Sequence, residues 1–260
     1  MSAEKPLAGK RILVTRALEQ AGGLAEALEA EGASVLRLPT IEIIPPESFA
    51  ALDAALATLQ DFDWLIFTSA NAVRAFAERM IVREVPQDRT AAVHVAAIGP
   101  ATAKAATEHG LRVDLMPEEY VAESMVAALK EKIPGKHVLL ARAAVARDVI
   151  PEELEALGAK IEVVEAYRTI LPPASIGQVR ALLTGELPDA VTFTSSSTVT
   201  NFLALLSGAS VDRPFALRAV SIGPITTRTL RERDWEPAAQ ASEPSIPGLV
   251  EACVRLLSAG

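Results

Sequence analysis

The sequence predicts an α/β protein made of two similar parallel-sheet domains. Three observations predict it. Short β-rich runs alternate with alanine- and leucine-rich amphipathic segments, and strands alternating with helices of about 10–15 residues make parallel sheets with helices on their faces. Val138-Leu-Leu-Ala141 is continuously apolar, as strands buried on both faces are. The first half of the chain also recurs in the second.

In chain order the expected strands are Arg11–Arg16, Ser34–Leu38, Trp64–Thr68, Val93–Ile98, His137–Arg142, Ile161–Val164, Ala190–Thr194 and Ala219–Ile222. Amphipathic helices such as Gln20–Glu31 and Ala101–His109 follow them. Extended stretches at Thr40–Ile44 and Tyr167–Leu171 each lead into a Pro-Pro pair, Pro45-Pro46 and Pro172-Pro173. Proline holds its predecessor extended, which suits a two-stranded connection.

The repeat is long. Arg11-Ile-Leu-Val-Thr-Arg16 matches His137-Val-Leu-Leu-Ala-Arg142, Glu31-Gly-Ala33 matches Leu157-Gly-Ala159, and Asp63–Ser69 matches Asp189–Ser195, all at an offset of 126. Ile98-Gly-Pro-Ala-Thr102 matches Ile222-Gly-Pro-Ile-Thr226 at an offset of 124. The period is far beyond solenoid repeats, so the unit duplicated is a whole α/β domain. Two packings fit: consecutive halves split near Pro134-Gly135, or an exchange in which the first two strands join the last third of the chain. The residues leave both open.

Composition narrows function. The chain has 260 residues, 50% hydrophobic and 22% charged, with 25 Lys+Arg against 33 Asp+Glu, a globular balance. A net charge of −8 argues against nucleic-acid binding. One cysteine, Cys253, leaves no internal disulfide and no cysteine zinc site. Charges interrupt every apolar run before membrane-spanning length, and Met1 to Leu7 has no secretory pattern. The expectation is a cytoplasmic protein.

Dinucleotide and Walker motifs are absent, as is Gly-x-Ser-x-Gly, and His94, His109 and His137 are not spaced as metal ligands. Polar residues instead gather where strands hand over to helices: Thr68-Ser69-Ala70-Asn71, Gly99-Pro-Ala-Thr102, Thr194-Ser195-Ser196-Ser197 and Gly223-Pro-Ile-Thr226. Ligands of open α/β sheets bind outside these strand ends, and helix N-termini there favour anions. Each alone reads as an ordinary N-cap or turn. Four on equivalent edges point to a ligand site. Arg16 and Arg142 end equivalent strands, where a guanidinium could fork onto a carboxylate or simply pair with a nearby acid. Arg147 is a weaker candidate. Tyr167, one of two tyrosines, lies just before the second Pro-Pro pair and reads either as a proton donor or as a half-buried strand aromatic.

Taken together, Ile12–Arg16, Phe67–Val73, Ile98–Ala103, Glu165-Ala-Tyr-Arg-Thr169, Phe193–Ser196 and Ile222–Thr227 resemble uroporphyrinogen-III synthase, in order and over nearly the whole chain. The resemblance implies two flavodoxin-like (Rossmann-like) domains, 1–39 with 174–260 and 46–165, joined by a two-stranded β-ladder of 40–45 with 166–173. It implies a lyase that needs no cofactor and no metal. The enzyme cyclises hydroxymethylbilane, a polycarboxylate tetrapyrrole, to uroporphyrinogen III with loss of water and inversion of the last pyrrole, via azafulvene and spiro intermediates. It implies Tyr167 as the catalytic residue, and substrate binding by Arg16, Ser69, Gly99, Thr102, Arg142, Ser195, Ser196, Gly223 and Thr226. The partner set is the substrate and the upstream hydroxymethylbilane-forming enzyme, for a monomer in tetrapyrrole and haem biosynthesis.

Two other readings use the same features. A two-domain ligand sensor of periplasmic-binding-protein type would close on a small polar ligand without turnover, and usually carries a secretory signal or a DNA-binding segment. A sugar-phosphate enzyme would use the Ser/Thr loops for phosphate, and lacks an evident acid/base pair beside them.

Overall fold

A computed structural model describes residues 5–16, 18–211 and 217–258, with the side chains of 18–22 excepted. The chain divides into two units, Met1–Glu42 with Ile170–Gly260, and Ile43–Thr169. The elements run β1 (Arg11–Val14), α1 (Leu18–Ala30), β2 (Ser34–Arg37), β3 (Glu42–Ile44), α2 (Ala50–Ala57), β4 (Trp64–Phe67), α3 (Ala70–Val82), β5 (His94–Ala97), α4 (Pro100–Glu108) and β6 (Val113–Leu115). They continue with α5 (Ala122–Leu129), β7 (His137–Ala143), α6 (Val149–Ala156), β8 (Lys160–Ile170), α7 (Pro173–Thr184), β9 (Ala190–Phe193), α8 (Ser196–Gly208), β10 (Ala219–Ser221), α9 (Pro224–Arg231), β11 (Ala239–Gln240) and α10 (Ile246–Ser258).

The first unit holds a five-stranded sheet in the order β2-β1-β9-β10-β11. β1 pairs in parallel with both β2 and β9. Numbered within the unit this is the 2-1-3-4-5 order of doubly wound folds, whose strand order reverses between β1 and β9. The second unit holds six strands in the order β3-β8-β7-β4-β5-β6. Without β3 it repeats the first, strand for strand, with its reversal between β7 and β4. Register is repeated too. Leu13 lies opposite Val191 and Ile12 opposite Val35, while 126 residues away Leu139 lies opposite Leu65 and Val138 opposite Ile161.

Both faces of each sheet are covered, which explains the apolar runs. In the second unit Leu65, Phe67, Leu139 and Ala141 pack on one face with Phe76 of α3. Trp64, Ile66, Val138 and Leu140 pack on the other with Met125 of α5. In the first, Ile12, Val14 and Ala190 face Leu249 and Cys253 of α10, and Leu13, Val191 and Phe193 face Phe202 and Trp235. Strand alternation alone sorts these sets.

A duplicated clasp fixes the amino ends of the strands. The Asp63 carboxylate accepts from the His137 N–H at 2.8 Å, and the Asp63 N–H donates to the His137 carbonyl at 2.8 Å. At the repeat-equivalent place Asp189 exchanges the same two bonds with Arg11, each 2.8 Å. The matched Gly32 and Gly158 end α1 and α6 with φ of +97° and +91°, the left-handed region that favours glycine.

Most strands are a residue or two shorter than expected, so Arg16 stands beyond β1 rather than on it. β7 and β8 are longer, and β6 and β11 are additional short strands.

Candidate functional site

The reversal points place the polar strand ends. In the second unit β4 runs into Ser69, the N-cap of α3, whose Oγ accepts from the Ala72 N–H at 3.1 Å. The hydroxyls of Ser69 and Tyr167 are 3.1 Å apart. Tyr167 reaches Ser69 because the β7–β8 register shifts after Arg142: Arg142 lies opposite Glu165, and Ala143 opposite Tyr167. The extra residue, Ala166, breaks the alternation, and Ala166 and Tyr167 both join the cluster around Phe67 and Phe76. Bulges re-aim side chains in this way. Tyr167 is 8% exposed and lines a cavity of about 280 Å³ with Ile43, Phe49 and Arg79.

Gly99 and Gly223 are the extended N-caps of α4 and α9, each followed by proline at the first helical position, where its missing N–H costs nothing. Neither glycine faces open space. A Cβ on Gly99 would stand 3.2 Å from Cγ of Tyr120, and one on Gly223 would stand 3.3 Å from Cβ of Pro244. Tyr120 and Pro244 are themselves repeat-equivalent, each in the loop after the last strand of its sheet. The sequence reading of these glycines, close approach of a ligand to backbone, is thus joined by close approach of a loop side chain.

Thr102 and Thr226 are the third residues of α4 and α9. Both are buried, and neither hydroxyl makes a hydrogen bond among the described residues. Neighbouring Thr227 differs: its Oγ1 lies 2.6 Å from Ser221 Oγ and donates to Gln240 Oε1 at 2.6 Å. Ser195 caps α8 in a reciprocal box with Thr198, and its Oγ is 2.9 Å from Ser197 Oγ. Ser196 Oγ accepts from Thr229 of α9 at 2.6 Å. Both serines thus serve local structure as well as edging the site.

The two arginines stand differently. Arg16 is half-buried just past β1. Arg142 is turned inward: it pairs with Asp148 at 2.6 Å and donates to the Arg147 carbonyl at 3.0 Å. A ligand carboxylate would have to displace Asp148. Arg147 is itself paired with Glu123 at 3.1 Å. The Glu123 carboxyl is held below its ordinary range, first by its own backbone N–H and then by Arg147.

The unit-2 edge therefore gathers Ser69, Gly99, Thr102, Arg142 and Tyr167, and the unit-1 edge gathers Arg16, Ser195, Ser196, Gly223 and Thr226. Tyr120 is the neighbour that sequence reasoning passed over. A larger cavity of about 560 Å³, lined by Asp63, Trp64, His94 and Lys136, lies at the amino ends of the strands and contains none of the candidate residues. Of the histidines, His109 Nδ1 lies 2.9 Å from the Ala105 carbonyl, His94 packs on Trp64, and His137 stacks on Phe62 with Nε2 buried and unpartnered. Among the described residues no group of three or more His, Cys, Asp or Glu could hold a metal ion, and no helix is long and apolar enough to cross a membrane.

The family profile described as uroporphyrinogen-III synthase HemD matches residues 22–251. The chain is 36% identical over 253 residues to the uroporphyrinogen-III synthase of Synechococcus elongatus, covering 95% of this chain and 96% of that one. A uroporphyrinogen III synthase structure from Thermus thermophilus superposes with a TM-score of 0.64 at 21% identity, covering 97% of this chain and 100% of that one. A Helicobacter pylori uroporphyrinogen-III synthetase structure superposes at 0.62 and 20% identity, covering 95% of this chain and 99% of that one. At such identities the two structures speak for the fold.

Proposed function

The chain belongs to the uroporphyrinogen-III synthase family, and from that premise we propose how its residues close hydroxymethylbilane to uroporphyrinogen III. The observation that carries the reading is the Ser69–Tyr167 hydroxyl pair, at a strand-order reversal of a chain matched along nearly its whole length. The sensor and sugar-phosphate readings are not favoured by these relatives.

The reaction releases one water. Protonation of the terminal hydroxyl lets it leave as water, and the adjoining pyrrole pushes electrons to form an azafulvene. The substituted carbon of the last pyrrole attacks it, giving a spiro intermediate. That intermediate breaks its older bond and recloses through the free carbon of the same ring. This carbon loses its proton, restoring the one first given to the hydroxyl. The substrate supplies most of the electronic push, so the protein acts chiefly by orientation.

In this reading Tyr167 gives the proton to the departing hydroxyl. Ser69 holds its oxygen and is itself fixed by the Ala72 N–H. The N-termini of α3, α4, α8 and α9 hold substrate carboxylates through unpaired N–H groups. The free hydroxyls of Thr102 and Thr226 donate beside them. Arg142 acts as a brace for the loop 144–148, and Arg16 stands at the equivalent strand end of the first unit, where a substrate carboxylate is received. The substrate carries eight carboxylates against a protein of −8, so binding rests on local dipoles rather than long-range attraction.

The reading keeps domain boundaries at 1–39 with 174–260 and at 46–165, with 40–45 and 166–173 connecting them. It keeps a cytoplasmic monomer that receives substrate from the hydroxymethylbilane-forming enzyme. Spontaneous closure without inversion favours so short a transfer. The test is isomer analysis: hydroxymethylbilane is generated in situ, the protein added, the product oxidised and the uroporphyrins separated. Predominantly isomer III is expected. Only isomer I from folded protein overturns the reading.

A further inference from the structure

We propose that Tyr120 is a substrate-contacting residue that offers its ring face to a pyrrole of the bound bilane, a step that rests on the synthase reading. The ring lies against the Gly99 backbone, where a Cβ would meet its Cγ at 3.2 Å and its Cδ1 at 3.5 Å. Glycine at the α4 N-cap is what lets an aromatic side chain lie there. The base of the side chain is thereby seated against the α4 N-cap, its Cβ 3.3 Å from the same point. The residue is nevertheless 57% exposed, and its hydroxyl makes no hydrogen bond among the described residues. A large aromatic held in place yet open to solvent is poised for a flat partner.

The duplication sharpens the argument. The equivalent position in the first unit is Pro244, which covers Gly223 in the same manner and presents no aromatic face. Met116 and Val121 are also exposed in the loop that carries Tyr120, whereas the equivalent positions before α10 are Gln240 and Ser245. From one ancestral loop, only the unit-2 copy presents an apolar, aromatic surface beside the α4 N-terminus.

The neighbouring charges select the part of the substrate that meets it. Glu118 and Glu119 precede Tyr120 and are exposed, so substrate carboxylates are repelled from this loop. The pyrrole bodies are not: they are electron-rich planes carrying N–H donors. The helix end thus receives a carboxylate while the loop receives the ring that bears it. This gives the two halves of the repeat different tasks at equivalent places.

The test uses Tyr120→Phe and Tyr120→Leu in the full chain, with kcat, KM, isomer III fraction and thermal midpoint measured together. Wild-type production of isomer III is established first, so that failure of the synthase reading is seen separately. Tyr120→Phe is expected to stay within about twofold of wild type in KM, because the ring face is kept. Tyr120→Leu is expected to raise KM about three- to tenfold with kcat within about twofold and the thermal midpoint unchanged, the size of one lost aromatic contact. Binding of uroporphyrin III, followed by its fluorescence, should weaken in parallel in Tyr120→Leu. An unchanged KM in Tyr120→Leu overturns the proposal. So does equal loss in both variants, which assigns the effect to the hydroxyl, and so does a loss confined to kcat.

Discussion

The hydroxyl of Tyr167 lies 3.1 Å from Oγ of Ser69, joining β8 to the first turn of α3 across 98 residues of chain. Ser69 Oγ also accepts the Ala72 N–H, so its position is set by the helix, and the position of the phenol follows from it.

Tyr167→Phe removes the proton and keeps the ring among Phe67 and Phe76. A general acid ordinarily contributes about 10²–10⁴-fold. Here the pyrrole itself drives the leaving group out, so the expected loss in kcat is smaller, about tenfold, with KM within about threefold. Ser69→Ala should lower kcat less and also cost about 1 kcal/mol as a lost N-cap. Full turnover by Tyr167→Phe, measured under single-turnover conditions, would sink the acid role.

Particular residues show what the sequence could and could not disclose. The matches at Arg11 and His137, and at Asp63 and Asp189, already contained the repeated strand order, because a duplicated hydrophobic pattern rebuilds the same sheet. Which strands share a sheet is a different matter. The pairing of Ile12–Val14 with Ala190–Thr192 is long-range, and the repeat is symmetric to that exchange. Tyr167 is misjudged by period-2 reasoning, since alternation would put it on the face away from Ala166, whereas the bulge puts both on one face. Arg142 reads as available to a ligand until the direction of Asp148 is known. Tyr120 stayed hidden because β6 is three residues long, so its loop could not be assigned to a sheet edge. Its contact also depends on a side chain that Gly99 lacks.

The two clasps should behave as paired stability devices. Asp63 is held below its ordinary 3.8, first by the His137 backbone N–H and then by Lys136. A carboxyl depressed in the folded state adds stability that is fully present above the unfolded value and is lost as pH falls through the folded one. Asp63→Ala should cost on the order of 1 kcal/mol at pH 7, a charged hydrogen bond reduced by partial exposure. The gap from wild type should hold down to about pH 5 and narrow below the ordinary carboxylate range. Denaturant melts from pH 7 to pH 3 measure it, and a gap that widens in acid contradicts the assignment. Asp189→Ala should destabilise the first unit by a similar amount at pH 7.

Cys253 is fully buried in α10 against Leu249 and the first sheet, and burial pushes its thiol up to about 12. The thiolate is the reactive form, so a disulfide reagent at pH 8 should leave the native protein unmodified for as long as α10 stays packed. One equivalent should react at once in denaturant. Rapid labelling of native protein would mean that α10 opens readily, since modification must then follow local unfolding.

Thr226 and Thr227 offer the sharpest separation of function from structure. They are adjacent and both buried, yet Thr227 bonds to Ser221 and Gln240 while Thr226 bonds to nothing among the described residues. Replacing Thr227 by Val orphans the buried Ser221 hydroxyl and loses the bond to exposed Gln240, and should destabilise by about 1–3 kcal/mol. Replacing Thr226 by Val removes a hydroxyl that pairs with no protein group among the described residues, so stability should be unchanged or slightly raised. If that hydroxyl serves a substrate carboxylate, the same variant should lose activity, with KM raised about two- to fivefold, because several helix ends share the load. Thr102→Val should repeat the pattern in the second unit. The two readouts must part company, with thermal midpoint held and KM raised. A Thr226→Val protein that melts early and binds normally would make Thr226 a packing residue and remove it from the site.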